Sequence, residues 1–183
     1  LFGNWTLDRA VPWLALPFFA LVLLAGISVV AAFRRLDFEG MLADLKAAAP
    51  GTIVVLHACC HNPTGYDISA AQWDQVVAAV RAGGLTPVLD MAYQGFGYGL
   101  AEDGVAVAKF VAAGLEVFVS TSFSKSFSLY GERVGALSVV CASKDEAARV
   151  LSQLKIMIRT NYSNPPIHGA SIVARVLHTP ELR

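Results

Sequence analysis

The sequence lacks the features that would place it in several large classes of protein. Its 183 residues carry 14 basic and 14 acidic side chains, so the formal net charge is zero. Proteins that bind nucleic acid usually carry a basic excess, so this balance argues against that function. The chain has no internal repeat and no low-complexity tract. Its length suits one domain of ordinary size.

Cysteine is scarce and unevenly placed. The chain has three cysteines, and two of them, Cys59 and Cys60, are adjacent. Such a set is a poor disulfide framework, so we expect a reducing compartment. Residues 57–61, HACCH, raise the question of zinc, but His57 and His61 would share a face only on a helix, and this segment follows a strand. We predict packed thiols and supporting histidines rather than a metal site.

Charge is missing from one long segment, residues 10–33. At about 1.5 Å per residue, a helix of this length spans a bilayer core of about 30 Å. Arg34 and Arg35 would favour the cytosol for the residues that follow. A buried helix explains the same composition. Residues 1–35 are therefore interpreted as a hydrophobic N-terminal segment that either spans a membrane or is buried in the protein. A signal peptide fits less well, because no basic region precedes the run and it has no clean A-x-A site.

The rest of the chain alternates between short apolar strands and amphipathic helices. The patterns predict strands over residues 52–57, 86–90, 115–121 and 133–141, and helices over 37–48, from Ser69 to Gly83, over 104–113 and 144–158, and from about residue 167. Ser69 with Gln72 forms a capping-box signature for the second helix. This order predicts an α/β fold: a three-layer, mostly parallel sheet with flanking helices.

Polar clusters follow three of the predicted strands. They occupy residues 57–65, 90–93 and 122–125. Because sites in such sheets collect beyond the carboxyl ends of the strands, we expect one site built from all three segments. Asp90 closes an apolar strand, and a buried carboxylate there needs a cationic partner or strong donors. Lys125 is a single amine among serines and phenylalanines.

Taken singly, these residues have ordinary structural explanations. Asp90 suits a turn, Tyr93 suits packing, Lys125 suits the surface, and Arg133 suits an ion pair with Glu132. Together they meet the needs of a pyridoxal phosphate enzyme. That chemistry requires a lysine for the aldehyde, an acid beside the pyridine nitrogen, and groups that anchor the phosphate.

Four motifs carry a resemblance to a known family. They are HACCHNPTG (57–65), LDMAYQGFGYG (89–99), SFSKSFSLYGERVGALSVVC (122–141) and RTNYSNPP (159–166). In this order and spacing they resemble the class I aminotransferases, most closely the aspartate and aromatic amino acid branch. The resemblance implies that residues 36–183 are part of the large, pyridoxal phosphate-binding domain of such an enzyme.

The resemblance also implies roles for the matched residues. Lys125 binds the cofactor and, as a free amine, moves a proton during catalysis. Asp90 faces the ring nitrogen, and Tyr93 and Asn62 donate to the phenolic oxygen. The full cofactor-binding set is Asn62, Asp90, Tyr93, Ser122, Ser124, Lys125 and Arg133, of which the two serines and Arg133 hold the phosphate by charge-assisted hydrogen bonds.

Substrate and partners follow from the same resemblance. The implied enzyme is a cytoplasmic homodimer that moves an amino group between an aromatic or dicarboxylic amino acid and a 2-oxo acid such as 2-oxoglutarate. Asn62 and Arg159 contact the substrate, and Arg159 reaches a side-chain carboxylate in the neighbouring subunit's site. His57 and His61 lie behind the Asp90 side of the ring. No metal is implied. The alternative location is a membrane anchor at residues 10–33 with residues 36–183 in the cytosol.

The chain also departs from the family pattern. The segment before Leu36 does not resemble it. The glycine-threonine phosphate loop, the tryptophan that stacks on the ring and the C-terminal small domain have no counterpart. We therefore expect a truncated, rearranged or chimeric chain that transaminates poorly or not at all by itself. An inactive or membrane-tethered fragment is the alternative.

A minor alternative comes from residues 122–125, which match S-x-x-K, the signature of penicillin-binding serine acyl enzymes. Residues 162–164 imitate their Y-x-N element. However, no K-T-G or K-S-G follows. The serine of that motif should open a helix, whereas Ser122 is expected in a loop after a strand. These differences weigh against the acyl-enzyme interpretation.

Overall fold

The computed structural model describes residues 36–182, and the chain divides into two units between Asp37 and Phe38. The hydrophobic segment 1–35, with its uncharged run 10–33, lies outside the described residues. Within residues 36–182, no helix is both long and apolar enough to cross a membrane.

In the described part of the chain, four strands form one mixed sheet in the order β1-β2-β3-β4. They are β1 (Ile53–His57), β2 (Thr86–Met91), β3 (Val117–Ser122) and β4 (Gly135–Val140). β1 pairs with β2 and β2 with β3 in parallel, whereas β4 runs antiparallel to β3. The first three strands are joined by helical crossovers. The connection from β3 to β4 is short and returns directly along the neighbouring strand, as antiparallel pairing allows.

Within residues 36–182, seven helices accompany the sheet. They are α1 (Phe38–Ala47), α2 (Ala70–Gly83), α3 (Leu100–Asp103), α4 (Val105–Ala112), α5 (Phe123–Ser126), α6 (Lys144–Asn161) and α7 (Ile167–His178), with 3₁₀ turns at Tyr130–Glu132 and Pro180–Leu182. The predicted capping box forms at Ser69 and Gln72, and Gly84 ends α2 with a φ of +59°. Such a left-handed cap favours glycine.

One face of the sheet carries the core. Alternate strand residues, including Leu56, Leu89 and Val119, point to this face and pack against α1, α2 and α4. The ring of Trp73 on α2 meets that of Phe110 on α4 edge to face, with 6.3 Å between centroids. Burial of these side chains is the main favourable term in folding, so the helices are held on this face by apolar contact.

On the opposite face of the sheet, several large apolar side chains are exposed. Ile53, Val55 and Leu137 are 67%, 68% and 51% exposed. The prediction of three layers requires helices over both faces of the strands. Among residues 36–182 that cover is missing at these positions, so the three-layer prediction is not met there. The apolar runs were compatible with burial on both faces, and only the packing distinguishes the two cases.

Candidate active site

Three strand ends meet on the open face of the sheet. His57 on β1 lies in register with Asp90 on β2, and Asp90 lies in register with Ser120 on β3. Side chains in register on neighbouring strands point to the same face. The parallel order of β1, β2 and β3 therefore brings the segments that follow these strands to one edge.

Asp90 has a histidine as its partner. Its Oδ2 lies 3.6 Å from Nε2 of His57, and its side chain is 41% exposed against 19% for the histidine. The backbone N–H of Asn62 points at Nδ1 of His57 at 3.5 Å. When Nδ1 accepts, a neutral imidazole carries its proton on Nε2, toward the carboxylate. His57 thus orients Asp90, which remains accessible on one side.

Lys125, Tyr93 and Asn62 come together from three different segments. The Lys125 ammonium lies 5.0 Å from the centroid of the Tyr93 ring, within the range of a cation–π contact. The Asn62 amide donates to the Tyr93 hydroxyl at 3.5 Å. These three hydrogen-bond donors therefore lie close together near the end of β2, the strand that carries Asp90, although they are far apart in sequence.

The position of Lys125 follows from the turn after β3. Ser122 ends the strand, and its Oγ accepts from the backbone N–H of Ser124 at 3.3 Å, which caps the one-turn helix α5. We predicted a loop here, and that prediction was wrong, because a single capped turn is too short to show helical periodicity. Ser122 does therefore open a helix, as the S-x-x-K motif requires, and this objection to the acyl-enzyme interpretation falls.

Ser122, Ser124 and Arg133 line one cleft of about 290 Å³ between β3 and β4. Ser124 is buried, and Arg133 is exposed in a left-handed conformation with a φ of +51°. One guanidinium N–H of Arg133 donates to the carbonyl of Tyr130 at 2.9 Å. The remaining N–H groups and the hydroxyls make a cleft suited to a phosphate or another anion.

A glycine allows the two strands of this cleft to approach. A Cβ on Gly135 would lie 2.7 Å from the carbonyl oxygen of Thr121. Gly135 pairs with Ser122 at the last position of the β3–β4 ladder. A larger residue would push the strands apart at Ser122, one of the predicted phosphate ligands.

Arg159 lies apart from this cluster. It occupies the last turn of α6, is exposed, and donates to the hydroxyl of Ser163. The structure therefore brings together six predicted strand-end residues and Arg133, while Arg159 stays with its own helix end. Its role in a neighbouring subunit's site stays a prediction.

The HACCH segment holds its histidines and thiols in separate environments. The His61 ring meets His57 edge to face at 5.1 Å, and its Nδ1 is 2.7 Å from the Thr64 hydroxyl. The Cys59 and Cys60 sulfurs and an Asp103 oxygen all lie within 4.8 Å of one another. Burial, then the neighbouring Cys60 and Asp103, raises the pKa of Cys59 to about 12. At neutral pH the Cys59 thiol is therefore protonated and packs as a small apolar side chain.

Sequence reasoning missed Asp103. It is 4% exposed and accepts backbone hydrogen bonds from Gly95, Gly97 and Tyr98 at 2.8–2.9 Å. The loop was read only as glycine-rich, and the acid just after it was not connected with it. The available signal was an acidic residue shortly after a run of alternating glycines, whose unpaired N–H groups need an acceptor.

Comparison with known proteins shows which family the chain resembles. The family model described as aminotransferase class I and II matches residues 21–183. Aspartate aminotransferase of Pseudomonas aeruginosa is 61% identical over 153 residues, which are 84% of this chain and 38% of the relative. Aromatic-amino-acid aminotransferase of Escherichia coli is 53% identical over 146 residues, 80% of this chain and 37% of the relative.

A solved structure gives the same result. The crystal structure of aromatic-amino-acid aminotransferase from Burkholderia pseudomallei, covalently bound to pyridoxal phosphate, superposes with a TM-score of 0.79 at 69% identity. The match covers 80% of this chain and 37% of that one. The chain thus spans less than two fifths of the length of these relatives.

The mixed sheet with its flanking helices is the architecture of a pyridoxal phosphate-dependent transferase domain. The chain belongs to the class I and II aminotransferase family.

Proposed function

We propose that the protein is an aminotransferase that uses pyridoxal 5'-phosphate held by Lys125. The observation that carries the proposal is the placement of the Lys125 amine 5.0 Å from the Tyr93 ring, beside the strand end that holds Asp90. The relative from Burkholderia pseudomallei is covalently bound to this cofactor. When bound, the cofactor supplies an electron sink for bonds at the substrate's α-carbon.

The residues present fit the chemical groups of the cofactor. The cleft at Ser122, Ser124 and Arg133 offers hydroxyls and a guanidinium for the phosphate. Asp90 has one side accessible and offers a carboxylate for the pyridine nitrogen. Lys125 is the amine of the cluster, partly buried and next to the hydroxyl donors. Residues 36–183 would thus supply part of the cofactor-binding domain.

Each group has a definite task in the proposed function. Tyr93 and Asn62 are paired through the 3.5 Å contact, and both would donate hydrogen bonds to the phenolic oxygen of the cofactor. As a free amine, Lys125 would accept a proton from the substrate's α-carbon and give it back, acting as a positioned general base and acid. His57 keeps the Asp90 carboxylate oriented on the far side.

The proposed substrates are an aromatic or dicarboxylic amino acid and a 2-oxo acid such as 2-oxoglutarate. Relatives named aspartate, tyrosine and aromatic-amino-acid aminotransferases all match this chain at more than 50% identity, so the comparisons support both substrate classes. Arg159 is exposed and has the geometry for a bidentate contact to a side-chain carboxylate. An assay of keto-acid formation from aspartate and from tyrosine measures the preference.

A homodimer is the proposed assembly. Helix α6 has no buried residue, and it exposes Leu151, Ile156 and Met157 at 52–56%. Apolar side chains grouped on one helix are typical of a surface that meets a partner. The last turn of the same helix carries Arg159, which the proposed function places in the second subunit's site. Sedimentation of the wild type and of a variant with Ile156 and Met157 changed to serine tests this assembly.

Cofactor binding is tested by adding pyridoxal phosphate to the purified protein and recording its absorbance. We expect a band from cofactor bound to Lys125 that survives removal of free cofactor by dialysis. Lys125→Ala should abolish the band, because no other amine of the cluster can replace it. Lys155→Ala, an exposed lysine on α6, is the matched control and should keep it. An equal band in both variants would refute the assignment of Lys125.

A further inference from the structure

The Asp103 carboxylate accepts hydrogen bonds from the backbone of the loop that follows β2. Oδ2 accepts from Gly95 at 2.8 Å and from Gly97 at 2.9 Å, and Oδ1 accepts from Tyr98 at 2.9 Å. Hydrogen bonds to an ionised acceptor are about twice as strong as neutral ones. One buried carboxylate therefore satisfies three donors of a loop that has no regular secondary structure.

The glycine at the centre of this loop is required by the carboxylate itself. A Cβ on Gly97 would lie 2.5 Å from Oδ1 of Asp103, which is closer than real side chains approach. Gly95 has a φ of +94°, a conformation that few other residues adopt. The loop sequence and the acid are therefore matched to each other.

The Asp103 carboxylate also lies close to the segment that follows β1. An Asp103 oxygen is within 4.8 Å of the Cys59 and Cys60 sulfurs. The Cys60 thiol in turn contacts the carbonyl of Tyr93 at 3.7 Å. Asp103 thus lies beneath both the β1 segment that carries Asn62 and the β2 segment that carries Tyr93.

We propose that Asp103 is a positioning residue that fixes Tyr93, and with it the Tyr93–Asn62 pair, toward the phenolic oxygen of the cofactor. The inference rests on the proposed function for the identity of that oxygen. Asp103 acts through the loop, since its own oxygens are occupied by backbone donors. Replacing it with asparagine turns one acceptor into a donor that faces N–H groups, so at least part of the loop must be released.

The first measurement is the pH midpoint of the absorbance of cofactor bound to Lys125. Hydrogen bonds to the phenolic oxygen lower the proton affinity of the neighbouring nitrogen. We expect Asp103→Asn to raise the midpoint by about one pH unit, a tenfold change in proton affinity. Asp74→Asn removes a carboxylate that is 63% exposed and pairs with Lys109, and it should leave the midpoint unchanged.

A double-mutant cycle separates positioning from general damage. If Asp103 acts through Tyr93, Asp103→Asn should shift the midpoint in the wild type but add little in a Tyr93→Phe background. Equal shifts in both backgrounds would overturn the proposal. If Asp103→Asn does not fold, Gly97→Ala replaces it, because the new Cβ displaces the carboxylate without removing its charge. An unchanged midpoint in that folded variant would also overturn it.

Amide hydrogen exchange of the cofactor-free protein tests the loop independently of the cofactor. We expect residues 93–98 to exchange on the order of tenfold faster in Asp103→Asn, and at the wild-type rate in Asp74→Asn. If the wild type gives no absorbance band, the proposed function fails and this exchange experiment decides the role of Asp103. Unchanged exchange at residues 93–98 would show that Asp103 does not hold the loop.

Discussion

The two faces of the sheet differ although they are built from the same strands. On one face, Leu89 and Val117 are completely buried beneath helices. On the other, Ile53 and Val55 are about two-thirds exposed. All of these side chains are aliphatic, so composition does not distinguish them. The proposed cofactor residues lie on the open face, where His57 and Asp90 point. The closed face supports the fold, and the open face leaves room for a ligand.

The largest expected difference between the faces is in stability. Leu89→Ala removes a fully buried side chain and should lower the free energy of unfolding by about 2–5 kcal/mol. Val55→Ala lies on the neighbouring strand but is 68% exposed, so its effect should stay within about 0.5 kcal/mol. Urea denaturation measures both. Similar losses for the two variants would show that the open face is covered in solution.

A smaller effect on stability should appear at the cleft lined by Ser122, Ser124 and Arg133, the proposed phosphate site. Gly135→Ala places a Cβ 2.7 Å from the Thr121 carbonyl, and overpacking of this kind costs about 1–3 kcal/mol. Gly131→Ala is the control, since a Cβ there meets nothing within 4 Å. Urea denaturation gives the stability and dialysis gives the cofactor affinity. A neutral Gly135→Ala would mean that the β3–β4 approach at Ser122 is not needed.

The ionisation of Asp103 should make the stability of the fold depend on pH. Burial opposes its ionisation, but the N–H donors of Tyr98, Gly97 and Gly95 outweigh burial and hold the pKa of this carboxyl below its usual 3.8. A carboxyl whose pKa is lower in the folded state stabilises the fold fully above its unfolded value and loses that contribution as pH falls through the folded one.

Thermal unfolding between about pH 5 and pH 2 tests this dependence. Asp103→Asn should be less stable than the wild type at pH 5, and the difference should shrink as the pH falls. Asp44→Asn, an exposed residue of α1, should keep the wild-type dependence on pH. A constant difference between Asp103→Asn and the wild type across this range would contradict the lowered pKa.

Much of the fold was predictable because its signals are local. The capping box at Ser69, the Gly84 stop and the apolar strand runs each depend on a few neighbouring residues, and the helices and strands they predicted are present within a few residues of the expected bounds. The shortest elements were not predicted. The one-turn helix α5 and the 3₁₀ turn at Tyr130 are too brief for any periodic pattern. The helix expected from residue 104 is preceded by the separate turn α3 for the same reason.

The site was predictable in its members but not in its geometry. Lys125, Asp90 and Tyr93 were identified by type and by position after strands, and the parallel order of β1 to β3 placed them at one edge. The pairing of Asp90 with His57 joins two separate strands, and no local pattern records it. Asp103 bonds to residues five to eight positions earlier in the chain, and the sequence analysis did not use the local signal for it, an acid shortly after alternating glycines.

The sequence by itself determined the order of strands and helices, the caps and the choice of a lone lysine among hydroxyls, because these depend on the intrinsic preferences of nearby residues. Only the tertiary structure decided which face of the sheet is buried and which direction β4 runs. Each of those outcomes depends on which distant segments pack together, and the free energy of that packing is a property of the whole fold.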